Sequence, residues 1–160
     1  MRPRSCKAVN IYQRFAERLA NDADYLTRSH DDTFHWLAGD WEWELSIVEP
    51  ERTATGLMTF RATPYGISAQ RPGGAPAPFL VYDRYSERWA LVMGEPEAYG
   101  ALIANRGDTV FEGEMTFMGL TMRLRQSWEW GEDREVLLRN EEWVDGEWVL
   151  VDELRYRRVG

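Results

Sequence analysis

Apolar and polar residues follow two different periods along the chain. Between about residues 8 and 26 the apolar residues recur three or four positions apart, as on one face of an α-helix. A second short helix is predicted from Asp32, a candidate N-cap, to Leu37. From Asp40 onward, short runs of β-branched and aromatic residues recur about every eight to twelve residues, with turn residues between them. The pattern predicts a helical N-terminal segment followed by an all-β body.

Ten strands can be placed in the second region. Every loop except the Gly/Pro-rich stretch 71–78 is short, so consecutive strands are expected to pair as antiparallel hairpins. Closing such a meander removes its two exposed edges. We therefore expect an antiparallel up-and-down barrel of about 8–10 strands over residues 39–160, with a helical segment at 1–38, in a single domain. An open sheet covered by the N-terminal helix is the alternative. The predicted strands are 40–49, 53–62, 65–71, 78–83, 88–94, 97–105, 108–117, 120–130, 134–144 and 147–158.

Two hairpin turns indicate the register of neighbouring strands. Asp145-Gly146 is a pair of residues preferred in two-residue turns, and a second two-residue turn is predicted at Met118-Gly119. Around the second turn, apolar residues then face each other on one side and opposite charges on the other, as in a half-buried sheet. The pairs predicted around the first turn are Trp143 with Trp148, Glu141 with Leu150, Arg139 with Asp152, and Leu137 with Leu154. Those around the second are Phe117 with Leu120, Met115 with Met122, Phe111 with Gln126, Glu114 with Arg123, and Glu112 with Arg125.

One continuous inner face follows if the loop after Trp130 has four residues, with Trp128 opposite Leu137 and Gln126 opposite Arg139. The candidate ligand-binding residues share that face. Three of its tryptophans would form an aromatic wall suited to a planar or apolar ligand, and ordinary core packing is the alternative. The candidates are Phe111, Met115, Met122, Leu124, Gln126, Trp128, Trp143 and Trp148.

Charged residues on the same predicted face give the sharpest indication of function. Charge in an apolar interior is costly unless it is paired or used. Arg139 and Asp152 could form a structural ion pair, or Asp152 or Glu141 could carry a proton in catalysis. The candidate catalytic residues are therefore Asp152, Glu141, Arg139 and Tyr156. With the faces inverted, the charges would simply lie in solvent.

Composition narrows the classes of partner. The 160 residues carry a net charge of −8, which argues against binding a nucleic-acid backbone. The single cysteine, Cys6, excludes an internal disulfide framework and a cysteine-built zinc site. No apolar run reaches the length of a signal peptide or of a membrane span, so we expect a cytoplasmic protein that does not enter a membrane.

Cofactor and metal motifs are weak throughout the sequence. There is no Gly-rich phosphate loop, nucleophile elbow or HExxH motif. The group formed by His30, Asp31, Asp32 and His35 is interpreted as N-capping and solvated surface rather than as metal ligands. We therefore expect no cofactor and no metal.

The stretch 34–44, FHWLAGDWEWE, resembles the opening of lipocalin-like (calycin) barrels, where a short helix runs into a Gly-x-Trp motif. Gly39 and Trp41 match the motif, and the resemblance implies that Trp41 plugs the closed end of the barrel. The segments 81–89 and 111–114 look like those of bacterial lipocalin-like domains of uncharacterised function, and the likeness covers roughly residues 33–158.

The sequence also departs from this family. Lipocalin-like proteins are often secreted with disulfides, whereas this chain has one cysteine and no apparent signal segment. The related haem-binding nitrobindins use a histidine near the C-terminal strands, whereas both histidines here precede the first strand. Haem binding of that kind is therefore not expected.

Three functions are compatible with these patterns. The first is binding of a small apolar or aromatic molecule inside the barrel. The second is a cofactor-independent enzyme, such as a cyclase, isomerase or hydratase, that uses the same cavity with its carboxylates as acid and base. The third is an interaction module in which the N-terminal helix packs across a barrel mouth or against a partner subunit, for example in a homodimer.

Overall fold

The computed structural model describes residues 10–74, 77, 79–131 and 134–160. Ten antiparallel strands form a closed up-and-down barrel in which β1 also pairs with β10, which confirms the predicted fold class. Each strand begins and ends within two residues of its predicted bounds. The strands are β1 Gly39–Ile47, β2 Arg52–Thr63, β3 Gly66–Gln70, β4 Phe79–Asp83, β5 Arg88–Glu95, β6 Ala98–Asn105, β7 Val110–Phe117, β8 Leu120–Trp130, β9 Glu135–Val144 and β10 Glu147–Arg158.

From residue 10 onward, the N-terminal segment contains one α-helix, α1 (Ile11–Asn21), and two 3₁₀ turns, Ala23–Thr27 and His35–Leu37. The helix begins at a capping box, in which Asn10 and Gln13 each accept the other's backbone N–H. It ends earlier than predicted because Asp22 leaves the helical conformation (φ −136°, ψ 68°). The predicted first residues, 8 and 9, lie outside the described residues. No side chain of α1 is buried, so this helix does not cover the barrel.

An aromatic plug fills the end of the barrel where β1 begins. Phe34, fully buried, stands at its centre, and its ring centroid lies within 6.0 Å of four other aromatic rings. Around it pack large apolar side chains from the strands and from the 3₁₀ turn before β1. We define the aromatic plug as Phe34, Leu37, Trp41, Trp89, Phe111 and Trp128.

Trp41, the tryptophan of the Gly-x-Trp motif, is 1% exposed at this end of the barrel. Its indole N–H donates to the Leu37 carbonyl at 2.7 Å. The Arg158 guanidinium lies 4.8 Å from the centre of its ring and donates to the Ala38 and Trp36 carbonyls. The last strand is thereby joined to the turn that precedes the first.

Asp31 is buried beside the plug, so its prediction as solvated surface was wrong. It accepts hydrogen bonds from the Trp89 indole at 2.9 Å and from the hydroxyl and backbone N–H of Thr33. Burial on its own would raise the pKa of Asp31, but these hydrogen bonds and the charge of Arg106 outweigh it and lower the pKa. Asp32, the predicted N-cap, is exposed, and no side chain caps the 3₁₀ turn that follows.

The register predicted at the Met118-Gly119 turn is confirmed for every pair, from Phe117 with Leu120 to Phe111 with Gln126. At the Asp145-Gly146 turn it is confirmed only as far as Glu141 with Leu150. An irregularity at Val151 then shifts the pairing by one residue. The structure pairs Asp152 with Asn140, Arg139 with Glu153, and Leu154 with Leu138.

The predicted register between β8 and β9 was wrong by one residue. Trp130 pairs with Val136, so that five residues rather than four separate the two paired positions. Trp128 therefore lies opposite Leu138, and Gln126 opposite Asn140. Because side chains alternate between the faces of a strand, this single residue exchanges the inner and outer faces predicted for β9.

Among the described residues, no helix is long and apolar enough to cross a membrane. Nor do these residues include a group of three or more His, Cys, Asp or Glu side chains that could hold a metal ion. His35 instead contacts the Thr63 carbonyl at 3.1 Å, and the His30 ring packs edge-on against Tyr65.

Candidate ligand-binding cavity

A cavity of about 470 Å³ lies inside the barrel, and all ten strands contribute to its wall. Cavities of this volume lie within the usual range for small-molecule sites. Four methionines supply adaptable apolar surface, and aromatic rings contribute much of the rest. The apolar lining is Trp43, Leu45, Met58, Phe60, Ile67, Ala69, Phe79, Leu80, Leu91, Met93, Leu102, Met115, Phe117, Met122, Leu124, Trp128, Leu138, Val151 and Leu154.

One row of polar groups crosses this apolar wall over β8, β9 and β10. The Trp128 indole donates to Gln126 Oε1 at 2.8 Å, and Gln126 Nε2 donates to Asn140 Oδ1 at 2.8 Å. Asn140 Nδ2 then donates to Asp152 Oδ1 at 2.6 Å. We call these four residues the polar strip. Every link runs in the same direction, from a group that can only donate to a carboxyl that accepts.

The irregularity at Val151 brings Asp152 into the cavity. Trp148 and Leu150 lie on the outer face of β10, and strict alternation would place Asp152 on that face as well. The extra residue reverses the alternation, so that Val151 and Asp152 both line the cavity. The Val151 carbonyl accepts from the backbone N–H of Val48 at 3.0 Å, which ties the irregular segment to the end of β1.

Burial raises the pKa of Asp152, and the hydrogen bond from Asn140 opposes that rise only in part. Among the described residues no charged group contributes to the shift. The carboxyl therefore lies in an apolar wall without a nearby counter-charge. Its second oxygen, Oδ2, accepts no hydrogen bond from the described part of the chain, which leaves it available to a ligand.

Tyr156 is the second titratable group that faces the cavity from β10. Burial raises the pKa of its hydroxyl to about 12, although the charge of Arg71 partly opposes this effect. The hydroxyl is therefore protonated at neutral pH. Arg71, which also lines the cavity, forms an ion pair with Glu95 at 3.0 Å.

The structure brings most of the predicted site residues together. Phe111 lies in the aromatic plug beneath the cavity. Seven of the others line the cavity itself: Met115, Met122, Leu124, Gln126, Trp128, Asp152 and Tyr156. Their proposed roles in binding and catalysis stay predictions.

The structure places the other four, Arg139, Glu141, Trp143 and Trp148, on the outer surface, and their prediction as inner residues was wrong. Glu141 forms a two-bond ion pair with Arg125 at 2.8 and 2.9 Å.

Arg139 pairs with Glu129 and Glu153 at 2.8 and 3.0 Å, so it does not form the predicted ion pair with Asp152. The rings of Trp143 and Trp148 pack edge-on against each other at 5.1 Å, under the Arg123 guanidinium. The prediction placed these side chains on the wrong face of the sheet because it missed the extra residue between β8 and β9.

Asn140 is the site residue that the sequence did not reveal. It joins Gln126 to Asp152 and so completes the polar strip. The adjacent leucines 137 and 138 hide its orientation, because either of them could have marked the inner face of β9. The buried Val136, two residues before Leu138 and four before Asn140, was the signal for the correct face, since Val136, Leu138 and Asn140 alternate inward.

A scan against protein-family models finds no match, and a search of curated proteins finds no significant match. The closed ten-stranded barrel with one N-terminal helix is compatible with a lipocalin-like fold. Function has to be argued from the cavity and its polar strip.

Proposed function

We propose that the protein binds a small, mostly apolar molecule inside its barrel. The observation that carries this proposal is the cavity of about 470 Å³, which is apolar apart from the polar strip, Tyr156 and Arg71. We also propose that the barrel belongs to the lipocalin-like group that its Gly39-x-Trp41 segment resembles. The cytoplasmic location stays a prediction.

Burial of ligand surface provides the driving force. Removing roughly 200 Å² of apolar ligand surface from water contributes about 5 kcal/mol before the costs of association are subtracted. The aromatic side chains offer flat contact surfaces, and the methionines adapt to an irregular outline. The polar strip then orients whichever end of the ligand is polar.

Filling the cavity is expected to weaken binding. We expect Met93→Trp to reduce the affinity for the neutral fluorophore N-phenyl-1-naphthylamine at least about tenfold, because the indole would occupy ligand volume. Met93 lines the cavity and pairs with Gly100, so that no side chain opposes it on β6. The increase in probe fluorescence on titration with protein measures the affinity.

Leu57→Trp is the matched control. Leu57 is 52% exposed on the outer face of β2, so that the same indole is added outside the barrel. Affinity should be unchanged in this variant. Equal affinity in both variants, or no probe binding by the parent protein, would contradict a ligand site inside the barrel.

An enzyme that transfers a proton within the same cavity is the second candidate. It is favoured by the raised pKa of Asp152 in the cavity wall, together with the position of Tyr156 in the same wall. Arg139 and Glu141 have no part in it, because they lie outside the barrel.

For a substrate found by screening, Asp152→Asn is expected to abolish turnover while binding of the neutral fluorophore persists. Glu141→Gln, a carboxyl on the outer surface, should leave turnover unchanged. Turnover that survives Asp152→Asn would exclude Asp152 as the acid or base.

A further inference from the structure

The direction of the polar strip determines which atom of Asp152 is available to a ligand. An indole N–H can only donate, so Gln126 must turn its oxygen toward Trp128 and its nitrogen toward Asn140. Asn140 is fixed in the same way and donates to Asp152 Oδ1. The strip therefore uses one carboxyl oxygen as an acceptor and presents the other, Oδ2, to the cavity.

The charge balance of the cavity is the second observation. Only three residues of its described wall are titratable, namely Arg71, Tyr156 and Asp152. Arg71 is paired with Glu95, and Tyr156 is neutral near pH 7 because of its high pKa. Within the described wall no other titratable side chain lies beside Asp152, and β8 and β9 present Gln126 and Asn140 there. The ionised Asp152 carboxylate thus has no counter-charge in the wall.

We propose that the ligand is an apolar molecule that carries one ammonium group, and that this group binds Asp152 Oδ2. The inference rests on the proposed binding function and specifies the chemistry of the ligand. An ammonium supplies the missing counter-charge and only donates hydrogen bonds. The strip offers it Asp152 Oδ2 and the remaining lone pair of Asn140 Oδ1.

Other polar end groups fit this position less well. A ligand carboxylate would place two negative charges in one apolar cavity, which is strongly unfavourable. An alcohol could donate to Oδ2, but it would leave the carboxylate without a counter-charge. The structure therefore favours amines over alcohols, and alcohols over acids.

The pH dependence of binding provides a readout that a merely apolar site would not show. Binding an ammonium requires the ionised form of Asp152, whose pKa lies above the ordinary value of 3.8. Amine affinity should therefore fall as the pH drops through that pKa, whereas alcohol affinity should not fall, because a neutral alcohol does not require the ionised carboxylate. Tyr156, whose pKa is raised to about 12, and an ordinary alkylamine do not change charge between about pH 4 and 8.

Three probes with one skeleton test the inference in the full chain: 2-(1-naphthyl)ethylamine, 2-(1-naphthyl)ethanol and 1-naphthylacetic acid. Isothermal titration at pH 7 is expected to show the amine binding at least about tenfold more tightly than the alcohol, and the acid most weakly. Asp152→Asn should remove the preference for the amine. Glu44→Gln, which neutralises an exposed carboxyl on the outer face of β1, should retain it.

The comparison in the parent protein decides the matter even if Asp152→Asn does not fold. An alcohol that binds as tightly as the amine would overturn the inference, and the proposed function would stand if N-phenyl-1-naphthylamine still binds. Failure of every probe, this fluorophore included, would instead overturn the proposed function. A preference for the amine that persists in folded Asp152→Asn would exclude Asp152 as its cause.

Discussion

Replacing Phe34 by alanine is expected to lower the free energy of unfolding by about 4 kcal/mol. Phe34 is completely buried, with 0% of its surface exposed. The centre of its ring lies 5.0 Å from that of Trp89 and 5.5 Å from that of Trp128. These neighbours belong to strands fixed by the barrel, so they cannot move inward to fill the space that the ring leaves. The substitution would therefore remove both the buried surface and the contacts around it.

Urea unfolding followed by circular dichroism measures this loss. Phe15→Ala is the matched control, because Phe15 is 53% exposed on α1 and its replacement should change the free energy by less than about 0.5 kcal/mol. A loss below about 1 kcal/mol for Phe34→Ala would contradict the plug as part of the main core.

The second large effect is expected for Asp31→Ala, at about 3 kcal/mol. The variant leaves the Trp89 indole N–H and the Thr33 backbone N–H without the carboxylate that accepts them. Trp89 is 0% exposed, so water cannot easily replace the lost acceptor. Asp32→Ala, the exposed neighbour, should have little effect.

Acid should reduce the difference between the parent protein and Asp31→Ala. The native pKa of Asp31 is lowered, so the folded state holds this proton more weakly than the unfolded chain does. The contribution of the carboxylate is therefore complete above the ordinary value of 3.8 and is lost as the pH falls below it through the native pKa. Urea midpoints at pH 7 and near pH 3 measure the change. A difference between the two proteins that is constant over this range would contradict the assignment.

The strands were predictable because local signals determine them. Turn residues such as Asp145-Gly146 mark where the chain reverses, and short loops leave few alternatives to hairpin pairing. Charge pairs such as Glu112 with Arg125 then distinguish the outer face of a hairpin from its inner face. Closure followed from the need to pair both edges.

The faces of β9 and β10 were not predictable from the same signals. One extra residue between Trp130 and Val136 exchanges the faces of β9, and no turn motif marks it. The sequence does not indicate the irregularity at Val151 either, because valine is also favoured in regular strands. Asp152 was correctly predicted to face inward only because two errors cancel. Trp148 was wrongly placed inside, and the alternation from Trp148 to Asp152 was assumed to be regular, whereas the irregularity at Val151 reverses it.

The role of the N-terminal segment could not be predicted from local sequence patterns. Asp31 stands in the polar stretch 28–33, which gives no sign of burial, and Phe34 directly follows that stretch. Their partner, Trp89, lies more than fifty residues further along the chain, as the indole bond to Asp31 shows. Only the closed barrel brings these residues together.

This arrangement also constrains the order in which the chain can acquire its fold during synthesis. Phe34 leaves the ribosome before every strand that will cover it, and β1 cannot pair with its partner β10 until the nine other strands of the barrel have been made. The closing pairs join residues far apart in the sequence, so loop-closure entropy opposes them. The barrel therefore closes only after β10 has left the ribosome, and its apolar strands depend on their hairpin neighbours for protection until then.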